Sequence, residues 1–138
     1  MISLILGHKG SGKTKHLISC LNEAIETSKG NVVCVEKETK LTFDIDRRAR
    51  LIATDDFEIK GYHAFYGFLA GVCAGNYDIT DILVDATLRI GGRDYNELAK
   101  FLEDVYELAE AQDKKFIFTV SADREELPAS IFNFCKVI

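Results

Sequence analysis

Several features that define specialised classes of protein are missing from this sequence. The net charge is −5, from 17 basic and 22 acidic residues in 138, which disfavours a nucleic-acid-binding surface spread over the whole chain. The dense basic cluster is limited to Arg47, Arg48 and Arg50. The four cysteines form no C-x-x-C pair, so we expect buried free thiols in a reducing cytoplasm rather than a zinc site.

Long apolar runs are missing as well. The longest nearly apolar segment covers residues 64–75, whereas a membrane helix needs ~20 residues. Met1 leads directly into a short apolar run without a basic region, so no signal peptide is expected. The sequence also has no repeats, linkers or low-complexity tracts. We therefore expect a single domain over residues 1–138 with no membrane span.

What the sequence does contain is a glycine-rich loop between an apolar run and an amphipathic segment. The loop matches G-x-x-x-x-G-K-[ST], the Walker A motif. Its glycines let backbone N–H groups approach an anion, its lysine can reach phosphate oxygens, and its threonine hydroxyl can ligate Mg²⁺. The motif predicts that the protein binds a nucleotide triphosphate, with ATP favoured, together with Mg²⁺. The predicted nucleotide-binding residues are Gly7, His8, Lys9, Gly10, Ser11, Gly12, Lys13 and Thr14.

Apolar runs alternate with amphipathic segments along the chain, which predicts an α/β fold. Such an order favours a three-layer arrangement, with a mainly parallel five-stranded sheet covered by helices on both faces. The strands are predicted at residues 2–6, 31–35, 79–85, 115–120 and 134–138.

Three longer helices are predicted between these strands, together with a short helix that has Pro128 in its first turn. The first follows the loop and ends at Gly30, the second covers residues 64–74, and the third begins after a capping Asp94. Gly67 and Gly71 are interpreted as sites where the second helix approaches the sheet. No definite element is assigned to residues 39–60, although 50–54 has the pattern of a short edge strand.

Acidic residues follow two of the predicted strands. In a parallel sheet, ligands bind at the carboxyl ends of the strands, where the loop and Glu36, Glu38 and Asp85 are all expected. Asp85 ends an apolar strand and resembles a Walker B aspartate, so we predict that it holds Mg²⁺ together with Thr14. The position directly after it holds Ala86, where many ATPases carry a catalytic glutamate.

The loop, the first helix and the next two buried strands resemble the RecA-like branch of the P-loop NTPases, which belongs to the ASCE type. The resemblance covers roughly residues 1–90. In that branch the catalytic glutamate lies at the end of the strand that follows the first helix. The resemblance implies Glu38, or Glu36 one strand period earlier, as the catalytic base, with Lys13 stabilising the transferred phosphate. Glu36 and Glu38 both remain candidates for the catalytic base.

The same resemblance has implications for a sensor and for partners. Ser121, after the fourth predicted strand, matches the polar sensor of such ATPases. Members of the branch usually work as rings or filaments in which a neighbour supplies an arginine or lysine, which implies a homo-oligomer or a protein partner. The candidates for that residue are Arg89, Arg93 and Arg124.

Three functions remain open at this point. The first is an ATP-binding protein that hydrolyses ATP slowly with Mg²⁺. The second is a small-molecule kinase with a layout similar to that of thymidine kinases, in which residues 39–60 form a lid. The third is a nucleotide-sensing module without turnover, which the residue after Asp85 favours. A GTPase is disfavoured because no N-K-x-D follows the fourth strand, and a dehydrogenase because no G-x-G-x-x-G is present.

Overall fold

The computed structural model describes residues 1–41 and 44–138. This part of the chain forms an α/β fold with six strands and four α-helices, which confirms the predicted fold class. The strands are β1 (Ile2–Leu6), β2 (Asn31–Glu36), β3 (Arg50–Ala53), β4 (Ile79–Val84), β5 (Lys115–Val120) and β6 (Cys135–Val137). The α-helices are α1 (Lys13–Thr27), α2 (Tyr62–Gly75), α3 (Thr87–Gly91) and α4 (Tyr95–Gln112), and short 3₁₀ turns cover Thr54–Phe57, Arg124–Glu126 and Ala129–Asn133.

The strands lie in the order β3-β2-β4-β5-β1-β6, and each pairing between them is parallel. The prediction of five strands is therefore wrong by one, because β3 pairs with β2 at the edge of the sheet. β3 has only four residues, and its apolar pattern is too short to separate a strand from a loop. These residues form a strand because their backbone pairs with that of β2. The pairing runs from Arg50 opposite Val33 to Ala53 opposite Glu36.

Alternate residues of the strands belong to two separate hydrophobic clusters. Val33 and Val35 of β2 belong to one cluster, which includes buried residues of α2, α3 and α4. Val32 and Cys34 belong to the other, which includes Leu17 and other buried residues of α1. This division follows from the two-residue period of a strand, which sends successive side chains to opposite faces. The sheet is therefore buried on both sides, as its nearly continuous apolar strands require.

The strand order decides where loops meet. β5 lies between β1 and β4, and β4 lies beside β2. Because the strands run parallel, the segments that follow β1, β2, β4 and β5 all leave the sheet at the same edge. The glycine-rich loop and the predicted acids therefore meet at that edge.

The interpretation of the two glycines in α2 is wrong. The buried stripe of this helix contains Phe65, Leu69 and Cys73. Gly67 and Gly71 fall on the opposite side of a helix with 3.6 residues per turn, and both are exposed. A Cβ built at either glycine would find no neighbouring atom within 4 Å, so neither glycine serves close packing against the sheet.

The expected burial of the cysteines is confirmed for three of the four. A reducing cytoplasm as their location stays a prediction. Cys34, Cys73 and Cys135 are buried, and Cys20 is half-buried. Burial raises the pKa of the Cys34 thiol to about 12, with the nearby carboxylates of Glu36 and Asp85 adding to the effect. Among the residues described, no helix is both long enough and apolar enough to cross a lipid bilayer.

The predicted cap of α4 is also confirmed and gives a test of the fold. The Asp94 carboxylate accepts hydrogen bonds from the backbone N–H groups of Asn96 at 2.9 Å and Glu97 at 3.1 Å. Asp94→Ala should lower the free energy of unfolding by about 1 kcal/mol, because it removes an N-cap acceptor. Asp94→Asn keeps an acceptor oxygen and should lose less than half as much. Urea denaturation measures both, and equal stability of the alanine variant and the wild type would contradict this role.

Candidate functional site

A cleft of about 1030 Å³ opens at the carboxyl edge of the sheet. Its walls come from the loop after β1, the start of α1, the segment after β2, α3, and the ends of β4 and β5. Most of the residues predicted for the site line this cleft; Gly7 and Ser11 instead shape the loop behind it. The predicted residues in the lining are His8, Lys9, Gly10, Gly12, Lys13, Thr14, Glu36, Glu38, Asp85 and Ser121.

Two glycines give the loop its shape. Gly7 has a φ of 141°, and a Cβ at this position would lie 2.5 Å from the Ser11 hydroxyl oxygen, so the loop can close only without a side chain there. Gly12 precedes α1 with a φ of 90°, in the left-handed region that favours glycine. The loop is closed by a hydrogen bond from the Ser11 N–H to the His8 carbonyl at 3.1 Å.

The segment that follows β5 holds the first half of this loop. The Gly7 N–H donates to the carbonyl of Ala122 at 3.1 Å, and His8 Nε2 lies 2.5 Å from Glu126 Oε1. The Glu126 carboxylate also accepts the Asp123 N–H at 2.9 Å. That N–H and the His8 ring keep the pKa of the exposed Glu126 below its usual range. The loop is thus attached to a neighbouring segment before any ligand arrives.

Lys13 begins α1 and folds over the loop. Its ammonium nitrogen donates to the His8 carbonyl at 3.2 Å, so the side chain lies across the loop instead of extending into solvent. The helix N-terminus adds partial positive charge at the same place. An anion bound in the loop would therefore meet the ammonium, the loop N–H groups and the helix dipole together.

Asp85 lies beside two hydroxyl groups from other elements. The Thr14 hydroxyl donates to its carboxylate, with oxygen–oxygen distances of 3.2 and 3.3 Å, although the two residues are 71 positions apart. The Thr119 hydroxyl donates to Asp85 Oδ1 at 2.9 Å and accepts the Ala86 N–H at 2.7 Å. Thr119 is completely buried, so its hydrogen bond orients the Asp85 carboxylate from the interior of the protein.

Sequence reasoning missed Thr119. The available signal was a single hydroxyl within the otherwise apolar run of residues 116–120, one position before the end of β5. In a buried strand such a hydroxyl needs a partner, and here Asp85 and the backbone of Ala86 provide it.

The pair of Thr14 and Asp85 fits a magnesium ion. Mg²⁺ prefers oxygen ligands and is commonly held by one or two protein oxygens together with phosphates and water. The Thr14 hydroxyl and the Asp85 carboxylate provide such oxygens from two elements, close enough to share one ion. Bound there, Mg²⁺ would neutralise charge on the phosphates.

The backbone turns sharply after Asp85. Ala86 has a φ of 60° and a ψ of 55°, a left-handed conformation that is costly for a residue with a side chain. Its N–H is held by Thr119, and its carbonyl accepts the Arg89 N–H at 3.0 Å. The strained turn lets α3 begin at once, and it brings Arg89 to the cleft.

Glu36 is the more buried of the two predicted acids, with 4% of its surface exposed. Its carboxylate accepts the backbone N–H groups of Lys40 at 2.6 Å and Leu41 at 3.3 Å. Burial raises the pKa of this carboxyl, and the two N–H groups partly oppose that effect. Glu36 therefore stabilises the turn that follows β2.

Glu38 lies within that turn and is about half exposed. Its Oε1 lies 2.6 Å from Arg89 Nη2 and 3.2 Å from the ammonium of Lys40. The Arg89 guanidinium, followed by Lys40, holds the pKa of this carboxyl below its usual range. Of the three arginines considered for an arginine finger, Arg89 and Arg93 line the cleft, whereas Arg124 lies over the ring of Phe132 at 4.0 Å.

The cleft concentrates positive charge in an acidic protein. Seven lysine and arginine side chains line it against three carboxylates, although the whole chain carries a net charge of −5. The lining cations that sequence reasoning did not single out are Lys15, Lys37 and Lys40. Such a local excess attracts a multiply charged anion.

The basic cluster at residues 47–50 lies elsewhere. Arg48 donates to Glu26 at 2.6 Å and to Asp46 at 2.8 Å. Glu26 belongs to the last turn of α1, whereas the cleft lies at its first turn, and none of the three arginines lines the cleft. Lys40 and Leu41 of segment 39–60 do line the cleft, and residues 42–43 lie outside the described part of the chain, so a kinase lid in this segment stays a prediction.

No protein-family model matches the chain, and no curated protein matches it in sequence. What the cleft binds must therefore follow from its own geometry and charge.

The contacts of Thr119 give a test of the site. Thr119→Val keeps the volume but leaves the Ala86 N–H without its acceptor, so it should lower the free energy of unfolding by about 1–3 kcal/mol. Thr119→Ser retains the hydroxyl and should retain most of the stability. Chemical denaturation compares the two variants, and equal losses would mean that the methyl packing of Thr119 matters rather than its hydroxyl.

Proposed function

We propose that the protein binds ATP with Mg²⁺ in this cleft and hydrolyses it slowly. The observation that carries the proposal is the meeting of Thr14 and Asp85 at 3.2 Å, directly beside the loop that Lys13 covers. If the glycine-rich turn merely connected β1 to α1, Thr14 would not need the Asp85 carboxylate, which comes from the segment after β4, beside it. A polyphosphate with its metal needs both.

Each part of the cleft has a place in this proposal. The loop N–H groups and the Lys13 ammonium bind the β- and γ-phosphate oxygens. Thr14 and Asp85 would hold Mg²⁺, and Thr119 keeps the Asp85 carboxylate oriented. The three-layer P-loop fold of the ASCE type belongs to the proposal too, supported by the two clusters on opposite faces of the sheet.

We assign the role of catalytic base to Glu38. Glu36 is already bound to two backbone N–H groups, so changing its partner would leave the buried Leu41 N–H without an acceptor. Glu38 lines the cleft, and its partners in the described part of the chain, Lys40 and Arg89, are long side chains that can rotate. Arg89 and Lys40 lower the pKa of Glu38, so its carboxylate is ionised as a base must be, although the same two cations weaken it as a proton acceptor.

The reaction conserves atoms and charge. A water oxygen attacks the γ-phosphorus of ATP while the bond from that phosphorus to the bridging oxygen breaks. Glu38 accepts a proton from the water and later returns it to the solvent. The products are ADP and inorganic phosphate, and Lys13 stabilises the charge that develops on the transferred group.

Lys13→Ala tests the binding of the nucleotide. Loss of the ammonium removes charge-assisted hydrogen bonds to two phosphates, so the affinity for Mg-ATP should fall on the order of 100-fold. Lys29→Ala is the matched control, because it removes an exposed lysine that lies outside the cleft. Isothermal titration calorimetry measures both variants. Equal affinities of the Lys13→Ala variant and the wild type would refute the proposal.

Glu38→Gln tests the base. The variant should bind Mg-ATP but release phosphate about 100-fold more slowly, because general base catalysis contributes at least that much. Phosphate release at saturating ATP measures the rate. If the wild type binds ATP without turnover, the protein is a nucleotide-sensing module. If labelled ATP transfers its γ-phosphate to a nucleoside in a panel, the kinase hypothesis replaces hydrolysis.

A further inference from the structure

Arg89 joins two walls of the cleft. Its guanidinium, on α3, binds Glu38 in the segment after β2, 51 positions away in the sequence. These two segments follow β4 and β2, which are neighbours in the sheet. The ion pair therefore spans the edge of the sheet, beside the place proposed for the nucleotide.

Glu38, one member of this ion pair, is also the residue proposed as the base for hydrolysis. Arg89 and Lys40 both bind Oε1 of Glu38, at 2.6 and 3.2 Å. Two cations beside a carboxylate stabilise its ionised form and so weaken it as an acceptor for a water proton. Release of Arg89 would therefore make Glu38 a stronger base.

The Glu38–Arg89 pair can be broken easily. The two side chains are 45% and 46% exposed, so water screens their attraction and can solvate both groups when they separate. Arg89 lines the same cleft as Lys13 and Thr14. A γ-phosphate carries more negative charge than a carboxylate and presents several oxygens to a planar guanidinium, so it would compete well for Arg89.

The helix that carries Arg89 packs closely against α2, so we expect its backbone to stay in place when the Arg89 side chain rotates. The Tyr62 hydroxyl donates to the Gly92 carbonyl at 2.7 Å, and the Gly61 N–H donates to the Ile90 carbonyl at 3.0 Å. A Cβ at Gly91 would lie 2.1 Å from the Tyr62 ring, which shows how closely α2 and α3 pack.

The geometry points to Arg89 as a γ-phosphate sensor that acts within its own chain. Without a γ-phosphate, Arg89 holds Glu38; when ATP is bound, it transfers to the γ-phosphate and frees Glu38 to accept a proton from water. This inference rests on the proposed function and deepens it in one respect. The chain itself would supply the arginine that ATPases of the branch it resembles take from a neighbour, so the reaction would need no ring or filament.

Nucleotide affinities test the sensor. The probes are the β,γ-imido analogue of ATP and ADP, each with Mg²⁺, titrated calorimetrically into the wild type and three variants. Arg89→Ala should weaken the triphosphate analogue about tenfold or more and leave ADP nearly unchanged. Arg89→Lys should recover part of the loss, because it restores the charge without the planar donor pair.

The matched control is Arg93→Ala. It removes one positive charge from the lining of the same cleft, and Arg93 is not the residue that binds Glu38. We expect it to weaken both nucleotides by a similar factor, so that their affinity ratio stays unchanged. If Arg89→Ala also leaves this ratio unchanged, the sensor role is refuted.

Glu38→Gln gives an independent readout of the exchange. Because Glu38 competes with the γ-phosphate for Arg89, removing its charge should tighten the triphosphate analogue while ADP changes little. A merely structural role of the Glu38–Arg89 pair would not produce this selective gain. An equal change for both nucleotides would count against the exchange.

A mixing experiment separates action within one chain from action between chains. The Lys13→Ala variant keeps Arg89, and the Arg89→Ala variant keeps the loop lysine. If Arg89 acts within its own chain, a mixture of the two should hydrolyse ATP no faster than the sum of the separate variants. Faster hydrolysis on mixing would show that a neighbour supplies Arg89 and would overturn the inference.

The failures of the two proposals can be told apart. A wild type that binds neither nucleotide refutes the proposed function and the sensor together. A wild type that binds both, with an affinity ratio that Arg89→Ala does not change, refutes the sensor alone.

Discussion

The carboxylate of Asp85 accepts hydrogen bonds from two hydroxyls, and this contact organises the carboxyl edge of the sheet. Thr14 comes from α1 and Thr119 from β5, whereas Asp85 follows β4. One side chain thereby links the start of α1 to the ends of β4 and β5. The left-handed turn at Ala86 is held by the same threonine, so that the position of α3 depends on this contact as well.

The two glutamates after β2 show how different surroundings give similar residues different roles. Glu36 is buried and bound to backbone N–H groups, and breaking those bonds would cost about 1–3 kcal/mol for an unsatisfied buried donor. Glu38 is exposed and bound to long cationic side chains that water can solvate. The buried acid shapes the turn, and the exposed acid can exchange its partners. The difference between the two carboxylates thus follows from burial.

The pattern of the sequence predicted much of the fold. The five predicted strands all exist, and four of them (β1, β2, β4 and β5) are mostly buried apolar runs, which are hard to mistake. β3 was not counted because its four residues form a strand only by pairing with β2. The two glycines of α2 were misread because a weak helix former indicates a helix position but not which side of the helix faces the sheet.

The sequence by itself determined the glycine-rich loop, since its eight residues are contiguous and the strand and helix beside it are local structures. It also determined that polar residues would follow the buried strands. Only the tertiary structure decided which of them meet: Asp85 with Thr14 and Thr119, and Glu38 with Arg89. These partners lie 34 to 71 positions apart. The order of strands in the sheet brings them together, and no local pattern encodes that order.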